Sequence, residues 1–108
     1  TRVWFFDIQN WRYKMLILPI KKRWFDMILS GEKKEEYRDI TPYYETRFKN
    51  LWGDRYMGKR KIMFRNGYSI HSPSFVVECE LKVGNGRSEW GAEEGKDYYI
   101  LRICRILK

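Results

Sequence analysis

Cysteine, histidine and proline are scarce: the 108 residues hold two Cys, one His and three Pro. Two cysteines, Cys79 and Cys104, are too few for a disulfide framework. Both stand in apolar, strand-like stretches, so buried free thiols in a reducing cytosol are expected. A lone imidazole, His71, with two distant Cys has no C-x-x-C or H-x-x-x-H spacing, so no metal site is expected and His71 reads as a loop residue. Long apolar runs are missing as well. The longest, Met15–Ile20, falls far short of the roughly 18 residues that a membrane span needs, and no signal-peptide pattern opens the chain. Neither a membrane-spanning nor a secreted protein is expected; the expected compartment is the cytoplasm, with no membrane partner and no cofactor.

Apolar and aromatic residues are plentiful. Hydrophobic residues make up 44% of the chain and aromatics 18%, enough for a real core, which argues against a disordered tail despite 33% charged residues. The length suits one domain. The net charge is +8, and its distribution is one-sided: residues 1–65 hold 16 Lys+Arg and 8 Asp+Glu, whereas residues 66–108 hold 6 of each. The whole excess belongs to the first three-fifths of the chain. Such a bias predicts a basic patch and a polyanionic partner, most often nucleic acid; an acidic protein partner or simply solvated cations are the alternatives.

Residues 1–14 carry five large aromatics without clean periodicity and read as an extension, because a self-contained pattern begins at Met15. Met15–Ile20 predicts a strand buried on both faces, ended by Pro19. Lys21–Ser30 predicts a helix whose apolar stripe is Trp24, Phe25, Ile28 and Leu29, stopped by Gly31 at the position that favours positive φ. Residues 33–40 alternate as a strand, with Tyr37 on one face and Glu36 and Arg38 on the other. Thr41-Pro42 opens a second helix with Tyr44, Phe48, Leu51 and Trp52 as its stripe, an exposed Glu45–Lys49 pair and Gly53 as its stop. The remainder predicts strands at 60–65, ending in the tight-turn dipeptide Asn66-Gly67, at 74–83, with Phe75, Val77, Cys79, Leu81 and Val83 on one face, and at 97–107. Two early helices and several strands predict an α+β domain over residues 15–108, built on a small mixed β-barrel.

The stretch richest in chemistry is Gly31-Glu32-Lys33-Lys34-Glu35-Glu36-Tyr37-Arg38. A helix ends and a strand begins at once, which presents Lys33, Glu36 and Arg38 close together. A carboxylate between two cations stays ionised and fixed in place, able to accept from a base N–H, while the cations suit a phosphate or a carbonyl. The bland alternative is a solvated strand edge. Gly31-x-Lys33-x-x-Glu36-x-Arg38 is similar to the G-x-K-x-x-E-x-R signature of the ASCH (activating signal cointegrator homology) family, and its setting after an apolar strand and a helix resembles a whole small prokaryotic or phage-type member from Met15 to about Leu107. The resemblance implies a PUA-like β-barrel whose signature lines a cleft, and a module that binds RNA or a nucleotide. Some small members look like amidohydrolases acting on acetylated cytidine through a Lys and a Thr of the signature strand; Lys33 occupies the position of that Lys, but Glu36 stands where the Thr is expected. Ribonuclease activity is the other enzymatic alternative, with Lys33 and Glu36 as its catalytic residues and Glu36 as general base.

Further residues extend the candidate ligand surface: Lys21 at the start of the first helix, and Arg65, Asn66 and Tyr68 around the turn, where an amide and an aromatic can read a base edge. Arg55, Lys59, Arg60 and Lys61, interleaved with Tyr56, Met57, Met63 and Phe64, suit guidance of a phosphate backbone with stacking of single-stranded bases. Alternation at 60–65 equally allows Ile62 and Phe64 to be core with the cations outward. Trp90 is expected either to stack on a base or to pack against the barrel.

Overall fold

A computed structural model describes residues 15–107; the 1–14 extension lies outside the described residues. Strand β1 (Leu16–Pro19) leads into helix α1 (Lys22–Leu29), strand β2 (Glu35–Arg38) and helix α2 (Pro42–Trp52). Three longer strands complete the sheet: β3 (Lys59–Arg65), β4 (Ser74–Asn85) and β5 (Asp97–Ile106), with a short 3-10 turn at Ser88–Trp90 between the last two. The fold is α+β, with one five-stranded mixed sheet of order β1-β3-β4-β5-β2 curled into a half-barrel. Only β1 and β3 run parallel; every other pair is antiparallel.

Local sequence accounts for most of these elements. Gly31, at φ +88°, follows α1 where a left-handed residue is needed. Thr41 caps α2 by accepting from the Tyr44 N–H, and Pro42 fills the first turn, where its missing N–H costs nothing. Glu45 and Lys49 make the expected ion pair, at 3.1 Å on the exposed face.

Between the curled sheet and the two helices lies the main core. Phe25 and Ile28 enter it from α1, Phe48 and Trp52 from α2, Ile62 and Phe64 from β3, and Phe75, Val77, Cys79 and Leu81 from β4. Thus Ile62 and Phe64 are core residues and Lys59 and Lys61 point outward. Three differences from the sequence expectations stand out. Val83, at the far end of the β4 stripe, is half exposed, and Cys104 is only partly buried. Tyr98 and Ile100, on the face of β5 opposite Tyr99 and Leu101, are buried too, forming a second small cluster with Ala92 and Tyr37 under the 86–96 loop. Gly86 is indispensable there: a Cβ would lie 2.6 Å from the Tyr37 ring and 2.7 Å from the Ala92 Cβ.

A further difference concerns Asn66-Gly67. A two-residue turn would pair Arg65 with Tyr68, but the register pairs Arg65 with Ser74, leaving residues 66–73 as a longer connection. That register sets Phe64 opposite Phe75, both buried, so burial of a matched apolar face overrides the turn dipeptide.

Burial pushes the Cys79 thiol from its ordinary 9.0 up to about 12. A raised acid stabilises the fold fully below the ordinary value, and that stability drains away as pH climbs towards the folded value. Cys79→Ala should therefore make the alkaline loss of stability shallower between pH 9.0 and about 12, as read from urea midpoints. The slope will not vanish, because Tyr99, likewise raised to about 12 by burial, titrates over the same range. An unchanged slope would show that the thiol stays protonated in neither state or in both.

Candidate functional site

Lys33, Glu36 and Arg38 converge. The Lys33 ammonium lies 3.1 Å from one oxygen of Glu36, and an Arg38 terminal nitrogen lies 2.9 Å from the other. Lys33 and Glu36 are buried, so the solvated-edge alternative fails. Alternation along β2 produces this directly: Glu36 and Arg38 project from the same face, and Lys33, in the turn before the strand, folds beneath them.

Their roles differ. Lys33 is 1% exposed, and its three donors are all engaged: with Glu36 Oε1, the Glu35 carbonyl and the Trp90 carbonyl, the last at 2.9 Å. The Trp24 and Tyr37 rings flank it at 5.0 and 4.8 Å, at cation–π range. Burial draws its pKa below the ordinary 10.5, and the Glu36 carboxylate opposes that shift. Lys33 is therefore a charged support under Glu36, with no donor left for a ligand. Arg38 donates to the Pro19 carbonyl at 2.9 Å and to the Tyr44 hydroxyl at 3.1 Å as well as to Glu36. It thereby joins the two edge strands of the sheet to α2. Because arginine only donates, the Tyr44 hydroxyl keeps its own proton free to donate. The Arg38 Nε has no hydrogen-bond partner among the described residues.

Glu36 and Arg38 form the floor of an open cleft of about 570 Å³, the size of a small-molecule site. Its walls include Lys21, Trp24, Tyr37, Tyr44, Asn66 and Tyr68. The Tyr37 hydroxyl is spent, donating to Glu35 at 2.7 Å and accepting from the Arg87 N–H at 2.9 Å, and its ring packs with Tyr98 and Ala92 in the second cluster. Asp39 at the rim is held by Lys96 at 3.1 Å, while Lys21 makes no ion pair among the described residues and is exposed. The cleft thus presents a fixed carboxylate acceptor, hydroxyl and amide groups, aromatic faces and an available cation.

Of the residues singled out in the sequence, Lys21, Glu36, Arg38, Asn66 and Tyr68 line the cleft and Lys33 underlies it. Arg65 stands next to Asn66 at the end of β3 without lining the cleft, and its backbone carbonyl accepts from the Ile20 N–H at 2.9 Å. Arg55 is exposed before β3. Lys59, Arg60 and Lys61 occupy the opposite end of β3, where Lys59 lies roughly 20 Å from Arg65 at the usual rise per residue. Lys59 and Lys61 sit across from Glu80 and Glu78 in the register, and Arg60 is turned onto the Leu51 and Lys59 carbonyls. His71 is exposed on the 66–73 connection, outside the cleft lining.

Trp24, Tyr37 and Tyr44 as cleft walls were not foreseen. The i, i+4 stripe pointed to Trp24 and Tyr44 as core, yet both are only half-buried, each at the margin of its helix stripe beside the signature. Nothing local marks the Trp90 carbonyl as a partner of Lys33. The Trp90 side chain does not line the cleft and has Arg87 over its ring at 4.7 Å. No helix among the described residues is long and apolar enough to cross a membrane. Compared with models of known families, with curated proteins and with solved structures, the chain matches none of them.

Proposed function

We propose that this protein is an RNA- or nucleotide-binding module of ASCH type on a PUA-like barrel, holding one nucleotide in the cleft above Glu36 and Arg38. The observation that carries this reading is the cleft floor: a buried carboxylate fixed by two cations, open towards a site walled by aromatic rings. A carboxylate so held accepts N–H groups without reorganising, which suits a base edge, and the rings of Trp24 and Tyr68 suit its faces. Lys21 at the rim supplies a phosphate contact.

The hydrolytic alternative has less support. A lysine acting as nucleophile or acid needs a free donor or lone pair at the reacting atom, whereas all three Lys33 donors are engaged within the protein.

Fluorescence anisotropy with labelled RNA across a salt series tests the binding reading. Affinity should fall steeply with salt, because neutralised phosphates release counterions, and Lys21→Ala should reduce the salt slope by about one phosphate contact. Lys21 is exposed, so this variant keeps the fold. Glu36→Gln should change the order of preference among base compositions more than the total affinity. Affinity that is flat with salt, or an equal loss for every sequence in Glu36→Gln, would refute the assignment.

A further inference from the structure

The connection between β3 and β4 is the part of the cleft wall whose outer surface this reading leaves unused. Residues 66–73 (Asn-Gly-Tyr-Ser-Ile-His-Ser-Pro) contain no Lys, Arg, Asp or Glu in a chain that is 33% charged. Both serine hydroxyls and several backbone groups are spent within the loop. The Ser72 N–H donates to the Ser69 carbonyl at 3.0 Å, the Ser69 N–H donates to Ser72 Oγ at 3.2 Å, and the His71 N–H donates to Ser69 Oγ at 3.0 Å. The Asn66 N–H closes the base of the loop on the Pro73 carbonyl at 2.8 Å. Gly67, at φ +126°, packs so closely that a Cβ would stand 2.5 Å from Ser72 Oγ. The two large apolar side chains point the other way: Tyr68 is 88% and Ile70 79% exposed. This loop uses its serine hydroxyls to bind its own backbone and turns its aromatic and aliphatic side chains outward, and it is already tied in that form. Little ordering remains to be lost when it binds.

Tyr68 also lines the cleft, so a ligand occupying the cleft passes beside the Tyr68–Ile70 tip. We propose that this tip is a wedge that stacks into the RNA next to the nucleotide held in the cleft. The ligand class is then an unpaired nucleotide bordered by stacked bases, as in a bulge or a hairpin loop. This inference rests on the cleft reading given above. Drawing one base out of a stack leaves apolar base faces bare, and an uncharged aromatic–aliphatic pair covers them, offsetting the cost of unstacking. A loop that tracked the backbone of an extended strand would need cations instead, and residues 66–73 have none.

The test uses the whole protein and three probes: a labelled RNA hairpin with one bulged nucleotide, an unstructured strand of the same composition, and the free nucleoside monophosphates. The bulged hairpin should bind at least about tenfold more tightly than the strand, the effect of one stacked side chain. Ile70→Ser should erase most of that preference with monophosphate binding unchanged. Tyr68→Trp, which keeps a large ring, should retain the preference, and Tyr68→Ser should lose it. Equal binding of hairpin and strand, or a preference that survives both serine variants, would overturn the wedge while the cleft reading stands. Serine variants that alter self-association in light scattering without touching the RNA preference would assign the tip to a protein contact and overturn it too. If neither the monophosphates nor any RNA binds, the cleft reading falls and takes the wedge with it.

Discussion

Lys33→Met should lower the stability of the fold by about 3–5 kcal/mol, measured by urea unfolding at neutral pH, the range for breaking a buried ion pair by removing one partner. Methionine matches the length of the lysine stem, so little packing volume is lost and the effect isolates the charge. Three acceptors are abandoned at once: Glu36 Oε1 and the carbonyls of Glu35 and Trp90. At 1% exposure water does not replace the ammonium, and unpaired buried polar groups are costly. A domain of this size has only about 5–15 kcal/mol in total, so the variant should unfold in far less urea. Glu36→Gln tests the same pair from the other side. Without the carboxylate, nothing but Arg38's repulsion and the neighbouring Glu35 remains to act on Lys33 beside its burial, so its folded pKa should drop further. Between that folded value and the ordinary 10.5, the unfolded chain binds the extra proton, so stability rises with pH over this window. Glu36→Gln should therefore recover part of its lost stability as the solution is made alkaline, relative to wild type. A cost below about 1 kcal/mol for Lys33→Met would show that the pair is worth no more than a surface ion pair.

Legibility of this fold follows the range of the interactions. The cap at Thr41-Pro42 and the stop at Gly31 are fixed by residues within a turn of one another, and each stands where the sequence puts it. The helix stripes hold at Phe25, Ile28, Phe48 and Trp52, while Leu29 is 42% exposed and Trp24 and Tyr44 are half-buried. The spacing Lys33-x-x-Glu36-x-Arg38 likewise carries its convergence, since alternation sets Glu36 and Arg38 on one face. What the spacing does not carry is depth. Lys33 becomes a buried support because Trp90, 57 residues further on, turns its carbonyl onto the ammonium, and only the tertiary fold brings that carbonyl there. Charge is misleading for the same reason. The +8 excess before residue 66 is an excess along the chain, but antiparallel pairing sets Lys59 and Lys61 across from Glu80 and Glu78 of β4. In space, Lys21 at the cleft is the better placed cation, and a single lysine at a helix start has no local signature.

Arg38→Lys should loosen the molecule along one seam. The guanidinium reaches the Pro19 carbonyl on β1, Glu36 on β2 and the Tyr44 hydroxyl on α2. These are the two edge strands of the curled sheet and the helix beside them, and no ladder of backbone bonds joins those edges. A planar fork can serve three acceptors spread around it; a single ammonium cannot reach all three. The loss of one or two charge-assisted bonds should cost about 2–4 kcal/mol by urea unfolding. The more telling readout is local. Hydrogen exchange at the backbone amides of Leu16–Leu18 and at Ile20, which donates to the Arg65 carbonyl at 2.9 Å, should quicken more than exchange in β4, whose amides are protected by a neighbour on each side. Binding should fall with it, by about tenfold or more, since Glu36 keeps Lys33 but loses the partner that orients its second oxygen. If exchange rises equally in β1 and β4, Arg38 contributes only to global stability, and the joining of the sheet edges rests on the packing of Leu18 and Ile20 in the core.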